Sequence, residues 1–252
     1  MTRRIALAPA TLAYVTVLAV TTGVASLVGH RTAESLILDT SSNLHHLVRT
    51  PVRALVLSAF WIDSGFGGLA KWAALLVGIL GLAEWRLGSA RVVVTFAVGH
   101  VGATLVSQGL TALAIARGLW ARSWADAPDV GASYGFAAVA AALFWLVPRP
   151  FRAAYGLGLL AWFLAASHVA TADFTTIGHA AALLIGLGVG SPVMMGAWER
   201  RTEGRKRLVG TRIPRPTAWP GSNAWPAPSP SSSCPTRWPR SSSARSLRRW
   251  AA

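Results

Sequence analysis

Six long apolar segments with few polar positions follow one another along the chain: Ile5–Val28, Phe66–Ala83, Val92–Ala116, Val130–Val147, Ala153–Ala170 and Phe174–Met195. About 20 apolar residues are needed to cross the hydrocarbon core of a bilayer, so each segment approaches the required length. Because every backbone polar group in lipid must be paired within the protein, these segments should be helices. The pattern predicts an all-α, polytopic membrane protein built as a six-transmembrane-helix bundle.

Two stretches refine this picture. Residues Ala54–Ile62 are apolar but far too short to span, which favours an interfacial or re-entrant piece with Trp61 near the lipid headgroups. The first segment follows Arg3 and Arg4, yet it is long and lacks a small-residue cleavage site. We therefore interpret it as a retained span rather than a signal peptide.

Composition supports a membrane protein and argues against a soluble domain. Of the 252 residues, 53% are hydrophobic and only 13% are charged, which is too little charge for the surface of a soluble domain. The single cysteine, Cys234, excludes an intramolecular disulfide. The net charge of +15 is concentrated after the last apolar segment. This distribution suits a cytoplasmic face or anionic lipid headgroups, and it argues against nucleic acid as a partner.

The last part of the chain differs from the rest. We expect a transmembrane domain over residues 1–198 and a basic, Pro/Ser/Arg-rich, disordered cytoplasmic tail over residues 199–252. Residues 211–252 do not resemble the preceding protein at all, and a frame-shifted C-terminus is an alternative that the composition leaves open.

The distribution of Lys and Arg between loops predicts the orientation. With the N-terminus inside, eleven basic residues flank the inner ends of the spans and five lie in the outer loops. This bias predicts a multi-pass protein of the plasma membrane with both termini in the cytoplasm. Lys71, near the outer end of the second span, should snorkel outward.

Candidate chemistry lies on the fourth and sixth spans. The sequence GASYG, Gly131 to Gly135, places Ser133 near the outer end of the fourth span, and His179 lies near the outer end of the sixth. At 1.5 Å per residue, both side chains should lie about 5–8 Å below the same membrane face. A serine hydroxyl becomes a useful nucleophile when a base takes its proton, and imidazole is the usual base. Ser133 and His179 therefore form a candidate dyad.

Less specific interpretations of the same residues exist. GASYG is also a small-xxx-small pattern that lets two helices approach closely. An α/β-hydrolase elbow would require a strand before the motif, and the sequence predicts none there.

His100 could be a buried histidine with ordinary hydrogen bonds or a substitute donor near the dyad. Asp129 and Asp173 are expected to cap the fourth and sixth helices. His45 and His46 lack a third ligand at metal-binding spacing, so no metal site is expected.

Several of these motifs together resemble the rhomboid family of intramembrane serine proteases. GASYG resembles the nucleophile turn of that family, IGHAAALLIG its histidine helix, EWRLGSAR (Glu84 to Arg91) its E-x-R-x-G-S turn, and VRALVLSAFW its membrane-dipping first loop. The resemblance implies that Ser133 is the nucleophile, that Gly131, Tyr134 and Gly135 complete its turn, and that His179 is the general base. Gly186 and Gly190 would be packing glycines beside the site. It implies membrane-protein substrates and no cofactor.

The chain departs from the family on its second helix. The family usually carries H-x-x-x-N there, and the corresponding positions are Gly68 and Trp72, neither of which resembles these donors. Losing one oxyanion donor costs on the order of 3–4 kcal/mol of barrier. Two hypotheses follow, a serine endopeptidase with a Ser133/His179 dyad and a catalytically inactive relative that binds or retains membrane-protein clients. A channel or carrier would need charged residues within the spans, where the sequence offers only Lys71.

Overall fold

The computed structural model describes residues 8–62, 65–166, 173–196 and 198–200, and the elements in these ranges are all helical. The ends of the predicted first and fifth spans and the tail beyond residue 200 lie outside the described residues. The helices are α1 (Pro9–Leu27), α2 (His30–Thr40), α3 (Leu44–Arg49), α4 (Pro51–Leu57), α5 (Gly65–Leu87), α6 (Ser89–Ala116), α7 (Ser133–Leu143), α8 (Arg152–Ala166) and α9 (Phe174–Val189). Short 3-10 turns occupy Ser58–Phe60, Arg122–Asp126, Phe144–Leu146 and Arg149–Phe151.

All six predicted apolar segments contain a helix, but the count of six spans is not confirmed. Within the described residues, three helices are long and apolar enough to cross a bilayer: Pro9–Leu27, Phe66–Leu87 and Ser89–Ala116. A fourth is reached only if Phe174–Val189 and Pro192–Arg200 are one span with a bend of 50°. The α-helix in the fourth segment is the shortest of the six, because it gives way to a 3-10 turn at Phe144 and the chain then reaches Pro148 and Pro150.

Helix α7 lies at the centre of the bundle. Ten of its eleven residues are buried, and small side chains make this possible. Ala138 is packed between α6 and α9, since a Cβ placed on either Gly99 or Gly186 would overlap Ala138. Such small-residue contacts are how helices approach closely in lipid, where no hydrophobic force drives them together. A central helix shielded in this way does not need the length of a lipid-exposed span.

Helix α6 separates its polar and apolar residues between two faces. Thr104, Ser107 and Thr111 are fully buried, whereas a valine and leucine face is exposed, as at Val93 and Leu105. This is the reverse of a water-soluble helix, which places its polar face outward. Together with the apolar helices, the arrangement identifies a membrane protein.

The turn between α5 and α6 also holds the start of α1. The buried carboxylate of Glu84 accepts hydrogen bonds from the N–H of Ala10 at 2.9 Å, the N–H of Thr11 at 2.8 Å, the hydroxyl of Thr11 at 2.7 Å and the hydroxyl of Ser89 at 2.6 Å. Gly88, with φ of 84°, makes the one-residue turn that brings Ser89 back to Glu84. Three residues of the EWRLGSAR motif thus join the three longest helices.

The loop between α1 and α5 contains the predicted short apolar piece. It forms α4 followed by the 3-10 turn Ser58–Phe60, and its ten residues are too few to span. The Tyr14 hydroxyl donates to the Ala59 carbonyl at 2.6 Å, and the Thr21 hydroxyl donates to the Phe60 carbonyl at 2.7 Å. These bonds fix the loop against α1, directly beside the N-terminal end of α7.

Candidate functional site

Ser133 and His179 line the same cavity. It has a volume of about 260 Å³ and lies where α5, α7, α8 and α9 meet the loop that precedes α5. Its described lining residues come from five segments of the chain: Trp61, Ile62, Lys71, Trp72, Leu75, Val130, Gly131, Ser133, Trp162, Phe163 and His179. The structure therefore brings the two residues of the candidate dyad to one site.

The turn that presents Ser133 depends on glycine. Gly131 has φ of 126°, a region that side chains with a Cβ rarely adopt, and its N–H donates to the Ser58 carbonyl at 2.8 Å. Two residues later the chain enters α7, with Ser133 as the first helical residue and half-buried. The serine is thus held at a helix N-terminus, with its turn attached to the loop after α4.

Helix α9 positions His179. Asp173 caps the helix, as predicted, by accepting a hydrogen bond from the N–H of Thr176 at 3.0 Å. The His179 side chain is 7% exposed, and its ring packs against the rings of Tyr134, with centroids 5.2 Å apart, and Phe163, with centroids 5.0 Å apart. Two aromatic contacts on different helices restrict the orientation of the imidazole.

Glycines let the helices that carry the dyad come together. A Cβ on Gly178 would overlap the Tyr134 ring, and a Cβ on Gly135 would lie 2.5 Å from the Phe96 ring. Further along the same two helices, a Cβ on Gly186 would overlap the Ala138 backbone. A Cβ on Gly190 would lie 2.6 Å from Cα of Ala142. Gly178, Gly186 and Gly190 thus permit the close approach of α7 and α9, and hence of Ser133 and His179, whereas Gly135 permits the approach of α7 to α6.

The second-helix positions that depart from the family pattern lie close to the site. Trp72 lines the cavity, where its ring meets Phe136 edge to face with centroids 5.7 Å apart, and Gly68 is buried one turn earlier on α5. The indole forms part of the wall and does not fill the cavity.

Sequence reasoning missed Lys71 as a member of the site. Lys71 was expected to snorkel toward the outer membrane face and was given no place at the site, but its exposed side chain lines the cavity, with Nζ 6.0 Å from the centroid of the Trp72 ring. The available signal was its position next to Trp72, in an otherwise apolar part of α5.

His100 belongs to a different region. Its Nε2 lies 3.1 Å from the Leu55 carbonyl and 3.2 Å from the Ser58 hydroxyl, so the ring is directed at α4 and the turn after it. His100 lines the apolar cleft between α1, α4 and α6 and is not among the described residues that line the cavity with Ser133, although its ring centroid lies 6.4 Å from that of Tyr134. Its role as a substitute oxyanion donor stays a prediction.

Asp129, just before the serine turn, does not cap α7 as predicted. Its backbone N–H donates to the Ser41 hydroxyl at 2.7 Å, its carbonyl accepts from the Ser42 N–H at 2.9 Å, and its carboxylate accepts from the Gln108 amide at 3.1 Å. Burial raises the pKa of Asp129 from 3.8 to about 6. The residue thus joins the loop after α2, the inner face of α6 and the segment that enters the turn.

Among the described residues, no three His, Cys, Asp or Glu side chains are grouped so that they could hold a metal ion. The chemistry available at the cavity is that of a hydroxyl, an imidazole, an ammonium group and the N–H groups at the start of α7.

Comparison with known proteins gives one family. A family model described as rhomboid-like protein matches residues 3–199, which covers α1 to α9. A search of curated proteins and a search of solved structures each gave no significant match.

Proposed function

Because the chain belongs to the rhomboid-like family, we propose that it is an intramembrane serine protease that cleaves other membrane proteins. The observation that carries the proposal is that Ser133 and His179, on separate helices, line one cavity next to a glycine-dependent turn. Both residues occupy the positions that the family motifs assign to nucleophile and base.

In the proposed reaction, the Ser133 hydroxyl attacks a peptide carbonyl of the substrate. His179 accepts the hydroxyl proton as the Oγ–C bond forms, and then donates it to the leaving amine as the C–N bond breaks. A water molecule, deprotonated by the same imidazole, hydrolyses the acyl-enzyme and restores the serine. Tyr134 and Phe163 support this role because their rings hold the imidazole in place.

The start of α7 is the proposed source of oxyanion stabilisation. The first N–H groups of an α-helix have no partner within the helix, and the N-terminal end of a helix carries partial positive charge. Ser133 occupies the first position of α7, so these groups lie next to its own hydroxyl. Gly68 and Trp72 do not supply the usual second-helix donors, and the loss of one donor costs on the order of 3–4 kcal/mol. We therefore expect slow turnover.

The proposal includes a membrane arrangement. The six apolar segments would cross the plasma membrane six times, with α7 shielded by its neighbours, both termini in the cytoplasm and residues 199–252 as a cytoplasmic tail. The excess of Lys and Arg at the inner ends supports this orientation. The cavity would then lie toward the outer face, and the substrates would be membrane proteins cut near that face.

A serine-reactive fluorophosphonate tests the dyad directly. The purified protein in lipid vesicles should be labelled, and both Ser133→Ala and His179→Ala should abolish labelling, since one removes the nucleophile and the other its base. Ser123→Ala, which removes an exposed serine in the loop before α7, serves as the matched control and should be labelled like the wild type.

Two outcomes would overturn the proposal. Labelling that persists in Ser133→Ala would show that another residue reacts. No labelling of the wild type, under conditions where an active rhomboid reacts, would instead favour the inactive client-binding protein, whose co-purifying membrane proteins would be unaffected by Ser133→Ala.

A further inference from the structure

Lys71 carries the only permanent charge among the described residues that line the cavity. The remaining wall is aromatic or aliphatic apart from the dyad and the glycine turn, and three of its members are tryptophans, Trp61, Trp72 and Trp162. A single ammonium group in an otherwise uncharged wall indicates a function, because placing an ionisable residue in a membrane-spanning helix costs free energy.

Within the part of the chain that the structure describes, no carboxylate forms an ion pair with Lys71. In the described part of the chain the ion pairs within 4.0 Å are His30–Glu34, His45–Asp126 and Arg91–Glu199, and none of them involves Lys71. Nζ lies 6.0 Å from the centroid of the Trp72 ring, which is a weak cation–π contact. The ammonium group is therefore available to a negative group that enters the cavity.

Resting on the proposed proteolytic function, we propose that Lys71 is a specificity residue that selects substrates with an Asp or Glu side chain beside the bond that is cut. Ser133 and Lys71 line one cavity of about 260 Å³, so a peptide whose carbonyl lies at Ser133 has a neighbouring side chain within the same space.

The exposure of Lys71 makes it accessible to a substrate. Its side chain is exposed and lines the cavity, so a substrate side chain can reach the ammonium group. An acidic side chain in the outer juxtamembrane part of a substrate would form an ion pair with Lys71. A Lys or Arg side chain at the same place would be repelled by the like charge of Lys71. Attraction of substrates with an acidic side chain and repulsion of substrates with a basic one both contribute to specificity.

Cleavage of designed reporters tests the proposal. The probes are single-span fluorogenic peptides in lipid vesicles that carry Asp, Asn or Lys at the positions flanking the cut bond. For the wild type, kcat/KM should be higher for Asp than for Asn by about fivefold, which is what an exposed charge pair contributes at most. Lys71→Met should remove this preference, Lys71→Arg should keep it, and Lys71→Glu should reverse it in favour of Lys. Arg122→Met, which removes an exposed cation of the loop before α7, should leave the preference unchanged.

A binding measurement separates failure of this inference from failure of the protease. The Ser133→Ala protein should bind the Asp reporter about fivefold more tightly than the Asn reporter, and the double variant with Lys71→Met should bind both equally. If the wild type cleaves no reporter but this binding preference holds, only the proteolytic function fails. Equal binding of both reporters by Ser133→Ala, or an equal loss of cleavage of all reporters in Lys71→Met, would overturn the assignment of Lys71 to substrate selection.

Discussion

The ring of Tyr134 meets the ring of His179 edge to face, with centroids 5.2 Å apart and planes inclined at 80°. Tyr134 directly follows Ser133 on α7, and it is 3% exposed. The residue next to the nucleophile therefore also supports the base, so the geometry of the dyad depends on the contact between α7 and α9.

Gly178→Ala should damage the site through this contact. The added methyl group would overlap the Tyr134 ring and push it away from its place beside His179. Overpacking of this kind costs about 1–3 kcal/mol, and we expect fluorophosphonate labelling to slow by about tenfold or more because positioning is lost. The control is Gly188→Ala on the same helix, where an added Cβ meets nothing within 4 Å. Equal labelling rates for the two variants would contradict the prediction.

Gly186→Ala should lower the stability of the whole protein, in addition to any effect on the dyad. Its Cβ would overlap the backbone of Ala138, which cannot turn aside as a flexible side chain would. We expect a lower Tm and faster unfolding in SDS, corresponding to about 1–3 kcal/mol. Gly78→Ala on α5, which has open space around the added methyl group, should melt like the wild type. A wild-type Tm for Gly186→Ala would show that α7 and α9 are less tightly packed than described.

Asp129→Asn should change how stability depends on pH. The folded-state pKa of about 6 lies above the unfolded value of 3.8, so burial has no penalty below pH 3.8, where the carboxyl is protonated in both states. The penalty grows as pH rises through this interval and reaches roughly 3 kcal/mol above pH 6. The variant should therefore have a higher Tm than the wild type at pH 7.5 and a similar Tm at pH 4.

The neighbourhood of Asp129 makes this effect specific. The Asp173 carboxylate also raises the pKa of Asp129, and Gln108 can still donate to the amide oxygen of Asn. Asp39→Asn, at an exposed carboxylate of α2, is the control and should keep the wild-type pH profile. A Tm difference between wild type and Asp129→Asn that does not vary with pH would exclude titration of this carboxyl as the cause.

Glu84→Ala should loosen the start of α1. Four donors bond to the Glu84 carboxylate, and a buried donor left without a partner costs about 1–3 kcal/mol. We expect a marked fall in Tm and increased proteolysis near Pro9, with Glu84→Gln intermediate because the amide retains one acceptor. Glu34→Ala removes an exposed carboxylate of α2 and should have little effect. Resistance of Glu84→Ala to both tests would contradict the proposed role of the carboxylate in joining α1 to α5.

The sequence predicted the elements near the site well because their signals are local. Apolar runs gave a helix in each of the six segments, the shortness of Ala54–Ile62 correctly excluded a span there, and Asp173 was identified as a cap from its place before an apolar helix. Glycine motifs placed Ser133 and His179 on different helices at similar depth, and both line one cavity.

The parts that sequence reasoning missed depend on contacts between distant segments. Asp129 was predicted to cap α7, but Ser41, Ser42 and Gln108 hold it instead, and no local pattern reveals partners that far along the chain. The orientation of Lys71 was missed for a similar reason, because the cavity exists only once α5, α7, α8 and α9 have come together.

The carboxylate that binds the start of α1 lies 74 residues further along the chain than Ala10. During biosynthesis the first helix is therefore translated before the group that completes its N-terminal end. Ser89, which also bonds to Glu84, is made later still. Assembly of α1, α5 and α6 should accordingly finish as a single event after the start of α6 has left the ribosome. In a nascent chain arrested before that point, the start of α1 should lack its hydrogen bonds to Glu84.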